Sequence, residues 1–141
     1  MNLKKIIAGG VVSGMVIIII DLIFSWLTQM VFQYNVLELS GMRGVDDPTA
    51  ILFFAYPWVL GFALCIVYSY IYIVDDLDKN AKLNGLKFGL IMWIAIGFTS
   101  AFLVFSSMDY PIGFTVNSFI SSLIYIPIAG FVISKIFDMI K

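Results

Sequence analysis

The stretch VVSGMVIIIIDLIFSWLTQ, residues 11–29, carries a single charge, Asp21, in a run that is otherwise uncharged and mostly apolar. A helix of about 20 mostly apolar residues crosses a bilayer. Extended to about 6–32, this run reads as a membrane span with a carboxylate inside it. Three more runs share its character, at about 50–74, 86–108 and 112–137. Backbone polar groups find no water in hydrocarbon, so all four runs are expected to be helices despite their valine and isoleucine content. The expected fold is all-α: a polytopic membrane protein with four transmembrane helices in an up-down bundle. Residues 1–141 then form one transmembrane domain, with no stretch left for a soluble one.

Composition points the same way. Hydrophobic residues make up 62% of the chain and charged residues 12%, where a soluble domain usually carries about 25% charge. Lys4 and Lys5 precede the first run as in a secretory signal. The run exceeds a signal's apolar core of about 7–15 residues and no A-x-A site follows, so it reads as a retained helix.

In a four-span arrangement Lys4, Lys5, Lys79, Lys82, Lys87, Lys135 and Lys141 fall on one side and Arg43 alone on the other. The positive-inside rule then places both termini and the 75–85 loop in the cytoplasm, with 33–49 and 109–113 outside. Asp47-Pro48 is an N-cap followed by proline at the first helical position. Asp75, Asp76 and Asp78 end the second run, and Asp109-Tyr-Pro-Ile-Gly113 is a turn. In the first outer loop Arg43 lies near Asp46 and Asp47, either as an exposed ion pair or as a contact for a partner.

The two hairpins resemble each other. Gly10, Gly14 and Ser25 recur with the same spacing as Gly85, Gly89 and Ser100, and YPWVLGF (56–62) aligns with YIPIAGF (125–131). Both hairpins start on the same side, so the repeat is expected to be parallel. The four glycines mark helix faces suited to close packing.

Chemistry is sparse. Histidine is absent, which removes the commonest general base and metal ligand. Cys65 is the one cysteine and reads as a small buried hydrophobe. Asp76-x-Asp78-x-Asn80 opens like a calcium loop, but Ala81 and Lys87 stand where glycine and glutamate are needed. No phosphate loop, nucleophile elbow or zinc motif occurs. No basic face suits nucleic acid. No enzyme, cofactor or metal is expected.

What is left is Asp21. At about 1.5 Å per residue it lies roughly 22 Å from the inner end of its helix, on a face shared with Gly10, Gly14, Ser25 and Thr28. The antiparallel fourth span reaches that level near Ser121, with Asn117 one turn away, and Tyr56 and Ser100 come near it. Asp21, Ser25, Tyr56, Ser100, Asn117 and Ser121 are therefore the candidate polar cluster. No cation is expected at this depth, and a bare carboxylate in lipid costs about 2.5–3.5 kcal/mol even on the lenient scale. The acid must be protonated, take bonds from neighbours, or meet a cation from a ligand or partner.

Two functions fit. The first is a non-catalytic accessory or assembly subunit of a membrane complex, or a homo-oligomer, with the bilayer and other subunits or itself as partners. The second is a small ion- or proton-coupled transporter or channel using Asp21. The span count and first-helix acid resemble the small multidrug resistance transporters. The aspartate, the long first outer loop and the one-sided lysines depart from that family, so the resemblance carries no function across. The general pattern resembles small prokaryotic membrane proteins, which implies a prokaryotic plasma membrane.

Overall fold

The computed structural model describes residues 2–41, 43, 46–74 and 81–140. Asp75, Asp76 and Asp78, and with them the rejected calcium loop, lie outside these residues. Among the described residues every regular element is helical. Four helices are long and apolar enough to cross a membrane: Leu3–Phe32, Pro48–Ile71, Asn84–Ser107 and Ile112–Met139. They form the first to fourth spans of an up-down bundle. Both chain ends lie at one end of it, where Lys5 Nζ donates to the Phe137 carbonyl at 2.8 Å. That bond satisfies one of the carbonyls a helix leaves open at its C-terminus.

The second span begins differently from expectation. Asp47 caps it, accepting from the Thr49 N–H at 2.8 Å. The first turns, Pro48–Ala55, are 3-10, and α-helix starts only at Tyr56. Pro57 accounts for the last of these turns: it has no N–H to give the Phe53 carbonyl. That carbonyl instead accepts from Tyr56, one residue earlier, which is the 3-10 pattern.

Arg43 pairs with Asp47 at 2.7 Å and also donates to the Thr49 hydroxyl, while Asp46 is simply exposed. Bonds from the Thr49 hydroxyl and N–H, then Arg43, pull the Asp47 carboxyl from its ordinary 3.8 down to about 2. Because the folded value is depressed, the cap's contribution is complete above about pH 4 and is lost as pH falls through about 2. Amide-exchange protection at Thr49, corrected for intrinsic rate, is expected to hold to pH 3 and collapse below it. In Asp47→Asn that pH dependence disappears.

Small residues set the packing within each hairpin. A Cβ on Gly61 would stand 2.8 Å from the Gly10 carbonyl and 2.9 Å from the Gly14 nitrogen. A Cβ on Gly130 would stand 2.5 Å from the Gly85 carbonyl and 2.9 Å from Gly89 Cα. Gly14 lies against Trp58 and Gly89 against Pro127, and these two residues each precede their helix's glycine by three. The two hairpins therefore use the same contact, and all four predicted packing glycines are occupied inside the chain. The likeness stops at the hairpin. The first and fourth spans dock along much of their length, and no such contact joins the second and third. Those two approach near the end holding the termini, where Tyr68 packs edge-on to Phe88 with ring centroids 5.1 Å apart.

The apolar core occupies that same half of the bundle, from Ile6 and Phe137 up to Ile17 and Tyr125. Above this level the first and fourth spans stay together, Gly113 lying against Phe32, and a space opens beside them.

Candidate functional site

The space opened above the core is a recess of about 230 Å³. Its lining includes Asp21 and Ser25 of the first span, Tyr56 of the second, Ser100 of the third, and Asn117 and Ser121 of the fourth. The structure thus brings all six residues of the candidate cluster around one space. The reason is register. Asp21 stands as many residues past Leu3 as Ser121 stands before Met139. Both therefore lie about 27 Å from the same end of the bundle at 1.5 Å per residue. The Ser121 hydroxyl lies beside the Asp21 carboxyl.

Val36 of the first loop and Phe53 of the 3-10 turn line the recess from the far end. The loop is held there by Gln29, whose amide donates to the Ser25 carbonyl at 3.1 Å and to its hydroxyl at 3.0 Å. The same side chain's oxygen accepts from the Val36 N–H at 3.4 Å. Tyr34 and Thr28 share a further hydroxyl contact at 3.2 Å.

The third span borders the recess with a π-helical turn, Trp93–Phe98. This wider turn sets Gly97 against Ser122, whose Oγ would lie 3.1 Å from a Cβ at that position. Trp93 Nε1 donates to the same hydroxyl at 3.1 Å. π-turns commonly border functional sites.

Tyr125 belongs to the site and was not in the expected cluster. Its hydroxyl lies beside that of Tyr56, where the second span meets the fourth. The signal was present in the sequence: Asn117, Ser121 and Tyr125 recur every four residues, one stripe of the fourth helix.

The polar balance of the recess is one-sided. Among the described residues no lysine or arginine lines it. Ser118 donates to the Phe114 carbonyl at 3.0 Å and Ser122 to the Phe119 carbonyl at 3.1 Å, so their protons are spent on their own helix. Asn117 is 7% exposed, and its Oδ1 is fully buried without a hydrogen-bond partner. Leaving such a group unsatisfied costs about 1–3 kcal/mol. The recess therefore presents a carboxylate and hydroxyl lone pairs, and the buried Asn117 oxygen lies behind its wall. Among the described residues no cluster of His, Cys, Asp and Glu is suited to a metal ion.

A second hollow, about 430 Å³, lies between the third and fourth spans and is lined by Phe98, Phe102, Phe105, Phe119 and other residues. Thr115 is its one polar side chain, so it offers no charge.

Fold and recess together define a class: a small helical membrane protein of four spans with an acceptor-lined space among them. Comparison with family models, curated proteins and solved structures finds no match to this chain.

Proposed function

We propose that this chain is a non-catalytic membrane protein that takes up a cation or proton at Asp21, working as a small ion- or proton-coupled transporter. The observation that carries this reading is the recess itself, with a carboxylate among hydroxyl groups and, among the described residues, no cationic side chain in its lining. A carboxylate kept at such cost inside a membrane is by default functional. The serines nearby lack any base besides Asp21, which speaks against nucleophilic chemistry. The lysine bias supports an orientation with both termini in the cytoplasm, in a prokaryotic plasma membrane, so the recess would lie toward the outer face.

Purified protein in sealed vesicles tests the reading. With a pH-sensitive dye inside, an imposed cation gradient is expected to drive proton movement in wild type and none in Asp21→Asn. Equal signals from the two, or no signal with protons, alkali cations or organic ammonium ions, would end it.

The second reading is an assembly subunit or homo-oligomer. It is supported by Ile51, Leu52, Phe53 and Phe54, each more than half exposed beside Arg43 and Asp47. The glycine faces no longer support it, since each is filled from within the chain. Native mass measurement after gentle extraction separates the readings: a lone monomer that still moves protons leaves only the first.

A further inference from the structure

We infer that the recess is entered sideways from the bilayer, between the second and third spans, by a cation carrying a hydrocarbon tail. The route rests on geometry alone, and the charge of the solute rests on the cation-binding reading above.

One side of the recess is open. Tyr56 of the second span and Ser100 of the third both line it, and both are exposed. Side chains that line an inner space and are also exposed stand at its mouth. The back wall is shut: Asn117, Ser121, Ser122 and Tyr125 of the fourth span are buried, where that span docks on the first. The second and third spans pack at Tyr68 and Phe88, toward the termini. Among the described residues they show no extended docking beyond that level.

The mouth lies at membrane depth. Ser100 is about 10 Å inside the end of its span at Ser107. Apolar side chains that are more than half exposed flank the mouth along each helix. They are Phe54 and Val59 about Tyr56, and Ile94 and Leu103 about Ser100. In a spanning helix such side chains meet acyl chains, so the mouth between them opens on hydrocarbon. The far end of the recess is covered instead. Val36 lines it there, half-buried, its N–H held by Gln29 at 3.4 Å.

An opening on hydrocarbon selects the solute. Bare alkali ions are not concentrated there, because charge in lipid is costly. An alkyl tail dissolves among acyl chains while its charged end seeks a polar site, as lysine does when it snorkels. At this mouth the charged end reaches Asp21, itself half-buried, and the tail stays in lipid. The recess of about 230 Å³ then holds the head group alone. No demand is placed on whether the nitrogen carries hydrogens.

Two measurements on the full chain in lipid nanodiscs test this. Asp21→Cys in a Cys65→Ala background is treated with N-dodecylmaleimide, which partitions into lipid, or with a sulfonated maleimide, which stays in water. The lipid-borne reagent is expected to label roughly tenfold faster or more, since the sulfonate pays for entering hydrocarbon. Ser100→Trp, which narrows the mouth, is expected to slow it several-fold. The reagent pair needs no change at the mouth, so a folding defect in Ser100→Trp leaves the test intact. In the second measurement, wild type and Asp21→Asn bind octyltrimethylammonium or tetramethylammonium. The binding lost in Asp21→Asn is expected to be roughly tenfold tighter or more for the octyl cation, whose added methylenes stay in hydrocarbon.

The sulfonated reagent labelling as fast as the lipid-borne one overturns the sideways route. So does failure of the lipid-borne reagent to label, as when a second copy or a partner's helix fills the mouth. Equal Asp21-dependent affinity for the two cations overturns the tail and leaves the cation reading standing. If neither cation binds through Asp21, the assignment of the solute falls with that reading, and the labelling decides the route by itself.

Discussion

Replacing Asp21 by asparagine is expected to lower cation affinity by two to three orders of magnitude while leaving the fold as stable as wild type or more so. The two effects have opposite signs because one charge causes both. Holding a carboxylate at membrane depth costs about 2.5–3.5 kcal/mol on the lenient scale, and the amide removes that cost. Asparagine has nearly the same shape, and its oxygen can accept from the Ser121 hydroxyl that lies beside it. For a bound cation the change is the loss of one member of a buried ion pair, which is worth about 3–5 kcal/mol. Thermal melting and equilibrium binding on the same preparation measure the two. A side chain kept only for structure would behave otherwise: the melting temperature would drop and no ligand affinity would change.

The second large effect concerns the hairpin glycines. Gly130→Ala is expected to cost about 1–3 kcal/mol, the usual range for overpacking, and Gly10→Ala less. The difference lies in what the new methyl group meets. On Gly130 it presses on the Gly85 carbonyl at 2.5 Å and on Gly89 backbone at 2.9 Å, and neither can turn away. On Gly10 its three nearest neighbours are ring atoms of Phe62, a half-buried side chain that can swing aside. Reversible unfolding in mixed micelles gives both values. If Gly10→Ala costs as much as Gly130→Ala, the backbone contact does not set the spacing of the second hairpin.

These two sites show how far sequence reaches. The level shared by Asp21 and Ser121 could be counted, because helical rise is constant and the spans alternate in direction. The candidate cluster followed from that count. Tyr125 lay on a visible stripe of four-residue spacing but was read only as part of the repeat. The last 3-10 bond of Pro48–Ala55 follows from Pro57, whose missing N–H leaves the Phe53 carbonyl to Tyr56. That consequence is local and was in principle readable.

Other features were not. The π-helical turn at Trp93–Phe98 has no residue pattern that demands it, and Gly97 alone would fit an ordinary helix. The glycine stripes announced close contact without naming the partner, since a small face suits a neighbouring helix and another subunit equally. Only coordinates show them filled by Gly61 and Gly130. The unequal docking of the hairpins was likewise hidden. It depends on which faces meet between repeats, and the repeat pattern records only faces that meet within them.

The central claim is that the Asp21 side chain faces the fourth span inside the bundle and not the acyl chains. Cross-linking in native membranes tests it most directly. Asp21→Cys and Ser121→Cys are combined in a Cys65→Ala background and treated with a short bismaleimide, and trypsin then cuts at Lys79 or Lys82 between the halves. The halves are predicted to stay joined. Halves that separate, while Leu22→Cys with Ser121→Cys holds them together, would contradict the account.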